Sequence, residues 1–246
     1  MKHSVFVLVC FLLTACAPVP APVQTQASTP VSVELYDAER GRQVPIILYR
    51  PSGPGPHRLA ILSHGYGGAP DAYGFLARSL VARGWLVAAI DHELDSDAPM
   101  PTEGEPRVVR MPNWRVGADS IGFVIAQMTA RREALDGSAL LVGHSNGGDM
   151  AMLFAGEHPD RVFAVISLDN RRMPLPRDSR FPILTLRSSD QVADPGVLPS
   201  PDEAARFRIQ VVPVSVPHND MWDGASDAQR AEMLAKIEEF LADNGG

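Results

Sequence analysis

Residues 139–148 have the sequence Ala-Leu-Leu-Val-Gly-His-Ser-Asn-Gly-Gly, an apolar run followed directly by a glycine-flanked serine. The apolar run is typical of a buried parallel strand, and the residues after Gly147 have the pattern of a helix. A serine at such a strand-to-helix turn is exposed at the carboxyl end of the strand. Glycines two residues before and after it let the neighbouring backbone approach closely. The stretch therefore predicts Ser145 as a nucleophile on a parallel sheet.

Strands and helices alternate on both sides of this stretch, which predicts an α/β class with a mostly parallel sheet and helices on both faces. The first helix is predicted to be capped by Asp71, and the last to begin at a capping box, Ser226-x-x-Gln229. The segment between Leu168 and Phe181 is too short for a large cap domain, so the site should be open. Strands are predicted at residues 31–36, 43–49, 59–63, 85–90, 139–142, 162–168, 183–186 and 209–214.

A glycine-rich loop follows the third predicted strand, with the sequence His64-Gly-Tyr-Gly-Gly68. In hydrolases with a serine turn of this kind, backbone N–H groups of such a loop and of the residue after the nucleophile form the oxyanion hole. The backbones of Tyr66 and Asn146 are therefore the predicted donors. His64 is expected to hold the loop through its ring nitrogens.

The chain has seven histidines that could act as the base for Ser145. His218 follows the last predicted strand, where the base lies when nucleophile, acid and histidine follow one another along the chain. His57 and His158 fall at the opposite end of the sheet, and His144 lies within the serine turn. His218 is the predicted base.

Four segments resemble α/β hydrolases of the platelet-activating-factor acetylhydrolase type. They are Ser63-His-Gly-Tyr-Gly67, the segment from Ala77 to His92, Gly143-His-Ser-Asn-Gly-Gly148 and Ser215-Val-Pro-His218, and the resemblance extends over most of residues 44–224. It implies the α/β-hydrolase fold and ester hydrolysis without metal or cofactor. The chain departs from that family at Asn146, where the family usually has an apolar residue, so the polarity of the pocket is open.

Two main positions compete for the acid that orients His218. The resemblance implies Asp169, which ends a strand and is followed by Met173-Pro-Leu175, as in that family. Asp190 follows the next strand, where most hydrolases of this fold place the acid, and Asp194 is a weaker option in the same loop. Both strand ends adjoin the serine turn, so Asp169 is preferred and Asp190 stays open.

Charged clusters outside these motifs have simpler interpretations. Residues 91–97 contain several acidic side chains without a glycine to bring them together, so a solvated loop is expected rather than a metal site. The pair Arg171-Arg172 is expected in solvent, with binding of a substrate carboxylate or phosphate as the alternative. The net charge of −7 without a basic cluster argues against a nucleic-acid partner.

The N-terminal residues have the pattern of a bacterial lipoprotein signal. A positive start and an apolar stretch too short to span a membrane precede Leu13-Thr-Ala-Cys16, which resembles a lipobox. We expect a signal peptide at residues 1–15, a lipidated Cys16 with a proline-rich tether over 16–30, and a hydrolase domain at 31–246. Alanine after the cysteine favours the outer membrane of a bacterial envelope.

These features together predict a membrane-tethered serine hydrolase. Its expected substrates are carboxylic esters with short to medium acyl chains, or accessible polyester or phospholipid-type esters. A serine peptidase or amidase is the alternative within the same chemistry. A non-catalytic binding lipoprotein on the same scaffold is the alternative outside it.

Overall fold

The computed structural model describes residues 29–246, which form one sheet covered by helices. The predicted signal peptide and most of the predicted tether lie outside the described residues. The strands are β1 Val31–Asp37, β2 Arg42–Tyr49, β3 His57–Ser63, β4 Trp85–Ile90, β5 Ala134–His144, β6 Val162–Leu168, β7 Ile183–Arg187 and β8 Ile209–Pro213. The helices are α1 Gly74–Ala82, α2 Pro106–Val109, α3 Met111–Ala130, α4 Ser145–Glu157, α5 Pro201–Arg206 and α6 Asp227–Asp243.

The eight strands have the spatial order β1-β2-β4-β3-β5-β6-β7-β8. The pairs β1–β2 and β2–β4 are antiparallel, and every pair from β4 to β8 is parallel. The carboxyl ends of the parallel strands therefore lie at one edge of the sheet, where the loops that carry the predicted site residues meet.

Both faces of the sheet are buried, which explains why its strands are apolar at successive positions. In β3, Leu59 and Ile61 pack into the core on the α3 and α4 face, whereas Ala60 and Leu62 pack on the α1 and α6 face. The prediction of a mostly parallel sheet with helices on both faces is confirmed. Residues 169–182, between β6 and β7, contain no helix, so the absence of a large cap there also agrees with the prediction.

The start of α1 differs from the prediction. Asp71 does not cap this helix, which begins at Gly74. The free backbone N–H groups of Gly74 and Phe75 instead donate to the two carboxylate oxygens of Asp223, at 2.9 and 2.8 Å. A residue far along the chain thus supplies the cap, which local sequence patterns do not reveal.

Of the two capping boxes described below, the sequence predicted one and not the other. Ser226 and Gln229 form the predicted reciprocal pair at the start of α6. A second capping box, Ser200 with Glu203, begins the short helix α5, which the apolar periodicity did not predict. A helix of six residues has too few turns to show a clear apolar face.

Candidate active site

Ser145 lies on a strained turn between β5 and α4. Its φ is +49°, a conformation that non-glycine residues rarely adopt. A Cβ on Gly147 would lie 2.3 Å from the carbonyl oxygen of Ser63, and one on Gly143 would lie 2.5 Å from that of Gly147. Only glycine fits at either position, so the glycines of the motif are there for close backbone contact. The turn leaves Ser145 half-buried at the carboxyl edge of the sheet.

His218 connects the serine to an aspartate. Its Nε2 lies 3.0 Å from Ser145 Oγ, and its Nδ1 lies 2.6 Å from Asp169 Oδ2. Both contacts are within hydrogen-bonding distance, and together they have the arrangement of a nucleophile, a base and the acid that orients the base. The structure therefore brings together Ser145, His218 and Asp169 from three separate loops.

Of the three carboxylates proposed from the sequence, only Asp169 contacts the imidazole of His218. The Asp190 carboxylate accepts instead from the backbone N–H of His218, at 2.7 Å. Asp194 forms an ion pair with Arg172, with an N–O distance of 3.3 Å. Asp190 is thus placed to hold the loop, whereas Asp169 is placed to hold the ring.

The carboxylate of Asp169 is fully buried and held by four groups. Arg187 lies 2.6 Å from Oδ1, and Ser188 donates its hydroxyl to Oδ2 at 2.7 Å and its backbone N–H to Oδ1 at 3.2 Å. Burial alone would raise the pKa of Asp169, but the hydrogen bond from His218, the Arg187 charge and the Ser188 bonds outweigh it and lower the pKa. Asp169 is therefore ionised at neutral pH, as an acceptor for the His218 N–H must be.

His144 links the loop before the serine to the loop that carries His218. Its Nε2 lies 3.0 Å from the carbonyl oxygen of His218, and its Nδ1 lies 2.7 Å from the hydroxyl of Tyr73. Tyr73 in turn accepts from the backbone N–H of Gly65 at 3.1 Å. Burial lowers the pKa of His144 to about 3, so this ring is neutral and acts as a brace. Sequence analysis missed Tyr73, whose spacing from these residues gives no local signal.

The predicted oxyanion-hole donors flank the serine. A Cβ on Gly65 would lie 3.5 Å from the Cβ of Ser145, so the glycine-rich loop runs against the nucleophile. The backbone N–H of Tyr66 has no hydrogen-bond partner within residues 29–246. Asn146 is the second residue of α4, where a helix leaves backbone N–H groups unbonded. Both groups are thus free to donate to a ligand oxygen.

The side chain of Asn146 is held by hydrogen bonds to two neighbours. Its Oδ1 accepts from the indole N–H of Trp114 at 2.8 Å, and its Nδ2 donates to Asn113 at 3.0 Å. This side chain is buried and contributes packing between α3 and α4. Its departure from the resembled family therefore adds two hydrogen bonds between α3 and the serine turn.

The acidic loop after β4 is more tightly bound than the sequence suggested. Glu93 accepts the backbone N–H of Gly67 at 3.0 Å on both carboxylate oxygens, and Asp97 forms a bidentate ion pair with Arg42. His64, as expected, holds the glycine-rich loop through its ring: Nδ1 lies 2.9 Å from Gly65 O, and Nε2 accepts from the His92 N–H at 3.1 Å. The acidic loop is thus partly exposed, and Glu93 and His92 also support the glycine-rich loop.

The remaining candidates lie apart from the triad. The Arg171 guanidinium donates to Gln191, and Arg172 pairs with Asp194, both in half-exposed positions. Among the described residues, no group of three or more histidine, cysteine or acidic side chains is placed to hold a metal ion. Cys16, the predicted lipidation site, lies outside the described residues. No helix within residues 29–246 is long and apolar enough to cross a membrane.

One buried carboxylate near the site was not singled out from the sequence. Asp149, one turn after Ser145 in α4, accepts the backbone N–H groups of Arg172 and Met173 at 3.1 and 2.8 Å, and the Asn170 amide at 3.3 Å. These bonds fix the loop that follows Asp169. Burial raises the pKa of Asp149 to about 6, although the same hydrogen bonds act in the opposite direction.

Many solved structures share this architecture, including the following three, which match over most of their length. A dienelactone hydrolase-like promiscuous phosphotriesterase from metagenomic libraries superposes with a TM-score of 0.68 at 16% identity, covering 87% of this chain and 98% of its own. A dienelactone hydrolase from Anabaena variabilis gives a TM-score of 0.64 at 18% identity, with coverages of 89% and 98%. These overlaps, together with the strand order and the serine turn, decide the fold.

The chain has the α/β-hydrolase fold. A thermophilic esterase from the planctomycete Thermogutta terrifontis shares this fold as well, with a TM-score of 0.63 at 14% identity, covering 92% of this chain and 96% of its own. The family model described as serine aminopeptidase S33 matches residues 54–168, which include the glycine-rich loop and the serine turn. No curated protein resembles this chain closely enough in sequence to count as a match.

Proposed function

We propose that this α/β hydrolase cleaves carboxylic esters through an acyl-enzyme on Ser145. The observation that carries the proposal is the continuous contact from Ser145 Oγ through the His218 ring to Asp169. His218 Nε2 takes the proton of the serine hydroxyl as Oγ attacks the ester carbonyl carbon. The same nitrogen then returns the proton to the leaving alkoxide, and the C–O bond breaks. Water enters by the same route and releases the acid.

The negative charge on the carbonyl oxygen is proposed to be stabilised by the backbone N–H groups of Tyr66 and Asn146. The positive end of the α4 dipole, which begins at Ser145, points toward the same place. Such donors are effective because they are fixed before the reaction and need no reorganisation. The brace from Gly65 through Tyr73 to His144 supports that rigidity.

The substrate class is proposed from the openness of the site and from the relatives. Residues 169–182 form no helix over the serine, so extended or polymer-bound esters can approach. Two of the similar structures are described as a dienelactone hydrolase and an esterase. We propose esters with short to medium acyl chains, or accessible polyester or phospholipid-type esters. This chemistry requires no cofactor.

A fluorophosphonate probe and a series of p-nitrophenyl esters of graded chain length test the proposal. We expect the probe to label Ser145, and Ser145→Ala to abolish labelling and turnover. Ser79→Ala, at a half-buried serine on α1 that bonds to Glu238, is the matched control and should behave as wild type. A folded protein that is neither labelled nor active on any chain length would exclude the serine-hydrolase mechanism and favour the binding lipoprotein.

Peptide or amide hydrolysis is the second candidate, and the matching family model is the observation that favours it. Matched p-nitrophenyl esters and p-nitroanilides with the same acyl or amino-acyl group separate the two reactions. We expect kcat/KM to be far higher for the esters, because their leaving groups depart more readily. Higher kcat/KM for an aminoacyl anilide than for its ester would assign the protein to the peptidases.

We also propose that the hydrolase is tethered to the bacterial outer membrane by a lipid on Cys16. The support comes from the sequence alone, from the apolar stretch ending in Leu13-Thr-Ala-Cys16 and the proline-rich residues that follow. Cys16→Ser should prevent processing of the precursor and incorporation of labelled palmitate, whereas Cys10→Ser should leave both unchanged. Normal palmitate labelling of the Cys16→Ser protein would rule out this anchor.

A further inference from the structure

A cavity of about 600 Å³ opens beside the proposed nucleophile. The loop from β3 to α1 forms one wall, and the segment after His218 forms the other, with Gly65 and His144 among the lining residues. Gly65 also lies against the serine, since a Cβ on it would lie 3.5 Å from that of Ser145, and His144 precedes the serine in the chain. The cavity is therefore within reach of a substituent on the ester that the serine attacks.

Two exposed aromatic side chains line this cavity. Tyr66 is 52% exposed and Trp222 is 44% exposed, so both rings are accessible to a group in the cavity. Both rings make contacts that hold them in place. The Tyr66 hydroxyl accepts the backbone N–H of Met100 at 3.3 Å. The Trp222 indole packs so closely on Gly224 that a Cβ there would lie 2.5 Å from its Cζ2.

The charges around the cavity favour an uncharged occupant. None of the described residues that line it has a cationic side chain, and its one acidic side chain is the exposed Asp71. His144 is neutral, because burial lowers its pKa to about 3. A carboxylate or phosphate would find no countercharge here, whereas a flat apolar group would contact both rings without displacing them.

We propose that this cavity is a subsite for a neutral aromatic group of the ester substrate, held against the rings of Tyr66 and Trp222. The proposal rests on the proposed esterase function, because the aromatic group must be attached to the ester that Ser145 cleaves. Rings that are already ordered lose little conformational freedom when a ligand stacks on them. Gly224 is thereby a positioning residue, since it provides the space in which the Trp222 ring lies.

A binding experiment tests the subsite without requiring turnover. Of the three tryptophans, Trp85 and Trp114 are fully buried and Trp222 is exposed, so acrylamide quenching of fluorescence reports mainly on Trp222. In the Ser145→Ala protein, benzyl acetate should protect Trp222 from acrylamide at concentrations about three- to tenfold lower than cyclohexylmethyl acetate does. Equal protection by the two esters, or protection by neither, would overturn the proposal.

A kinetic experiment then determines which side of the ester occupies the subsite. The kcat/KM ratio of benzyl to cyclohexylmethyl acetate reports on the alcohol side, and that of methyl phenylacetate to methyl cyclohexylacetate reports on the acyl side. Trp222→Leu should lower one of these ratios by about three- to tenfold. Gly224→Ala, which forces the indole to move, should lower the same ratio.

The matched control is Tyr36→Leu, which removes an aromatic ring that is 58% exposed on the edge strand β1, outside the cavity. It should leave both ratios at their wild-type values. Unchanged ratios in Trp222→Leu would overturn the subsite while leaving esterase activity intact. If no ester were cleaved by the wild type, the esterase proposal would fail, and the fluorescence titration would still decide whether the cavity binds aromatic groups.

Discussion

The guanidinium of Arg187 lies 2.6 Å from Oδ1 of Asp169, the carboxylate whose other oxygen contacts His218. The aspartate thus has a permanent cation on one oxygen and the imidazole on the other. The Arg187 charge is one of the causes that hold the pKa of Asp169 below its usual value in spite of burial. Arg187 therefore keeps the acid ionised in an apolar setting.

Arg187→Gln is expected to lower stability at neutral pH and to lower activity at acid pH. Removing the cation leaves the buried Asp169 carboxylate with less compensation, which costs about 3–5 kcal/mol when one partner of a buried pair is lost. The pKa of Asp169 rises in the variant, because the Arg187 charge is one of the causes that lower it, so the fall of kcat on the acid side should move to higher pH. Urea unfolding and a kcat–pH profile measure the two effects.

Arg187→Lys is the control, since it retains a positive charge near Asp169. It should restore part of the lost stability and move the acid limb of kcat back toward the wild type. If Arg187→Gln had the stability and the pH profile of the wild type, the ion pair with Asp169 would have no role in either.

The two candidate acids are separated by substituting each with asparagine. Asp169→Asn removes the charge that accepts the His218 Nδ1–H, and it should lower kcat by orders of magnitude, up to about ten-thousandfold. Asp190→Asn keeps an oxygen that can accept the His218 backbone N–H, and it should cost less than about tenfold. Circular dichroism checks that both variants fold. A nearly wild-type kcat for Asp169→Asn would refute its assignment as the acid.

Asp149 should make stability fall as pH rises from about 4 to about 6. Its pKa is raised from 3.8 to about 6 by burial, so over this range the folded protein retains a proton that the unfolded chain releases. Between pH 4 and pH 6 the wild type should therefore lose about 2 kcal/mol relative to Asp149→Asn, whose amide oxygen can accept the same hydrogen bonds. Chemical unfolding of both proteins at pH 4 and pH 6 measures this difference. A wild type that gained stability relative to the variant would contradict the raised pKa.

The backbone of Tyr66, rather than its hydroxyl, should contribute to catalysis. Tyr66→Pro removes the N–H and should lower kcat on the order of a hundredfold or more, as loss of one oxyanion donor does elsewhere. Tyr66→Phe keeps the N–H and the ring and should retain most of the turnover. Equal losses of kcat in the two variants would assign the effect to the hydroxyl, which accepts the backbone N–H of Met100.

Sequence determined those parts of the molecule whose cause is local. The serine turn was predictable because its strand, its glycine-flanked serine and its helix follow one another along the chain, and the close contact at Gly143 is with Gly147, four residues later. The parallel sheet was predictable because strands buried on both faces must be apolar at successive positions. The capping box at Ser226 was predictable for the same reason, since its two hydrogen bonds join residues three apart.

The tertiary structure alone decided which groups meet across long stretches of chain. Asp169 and Asp190 both follow strands beside the serine, and only the packing of the His218 loop turns the imidazole toward Asp169 and the backbone N–H toward Asp190. The brace from Tyr73 through His144, and the cap of α1 by Asp223, likewise join residues remote in sequence. Such contacts are fixed by how packed elements approach one another, and no local pattern along the chain specifies that approach.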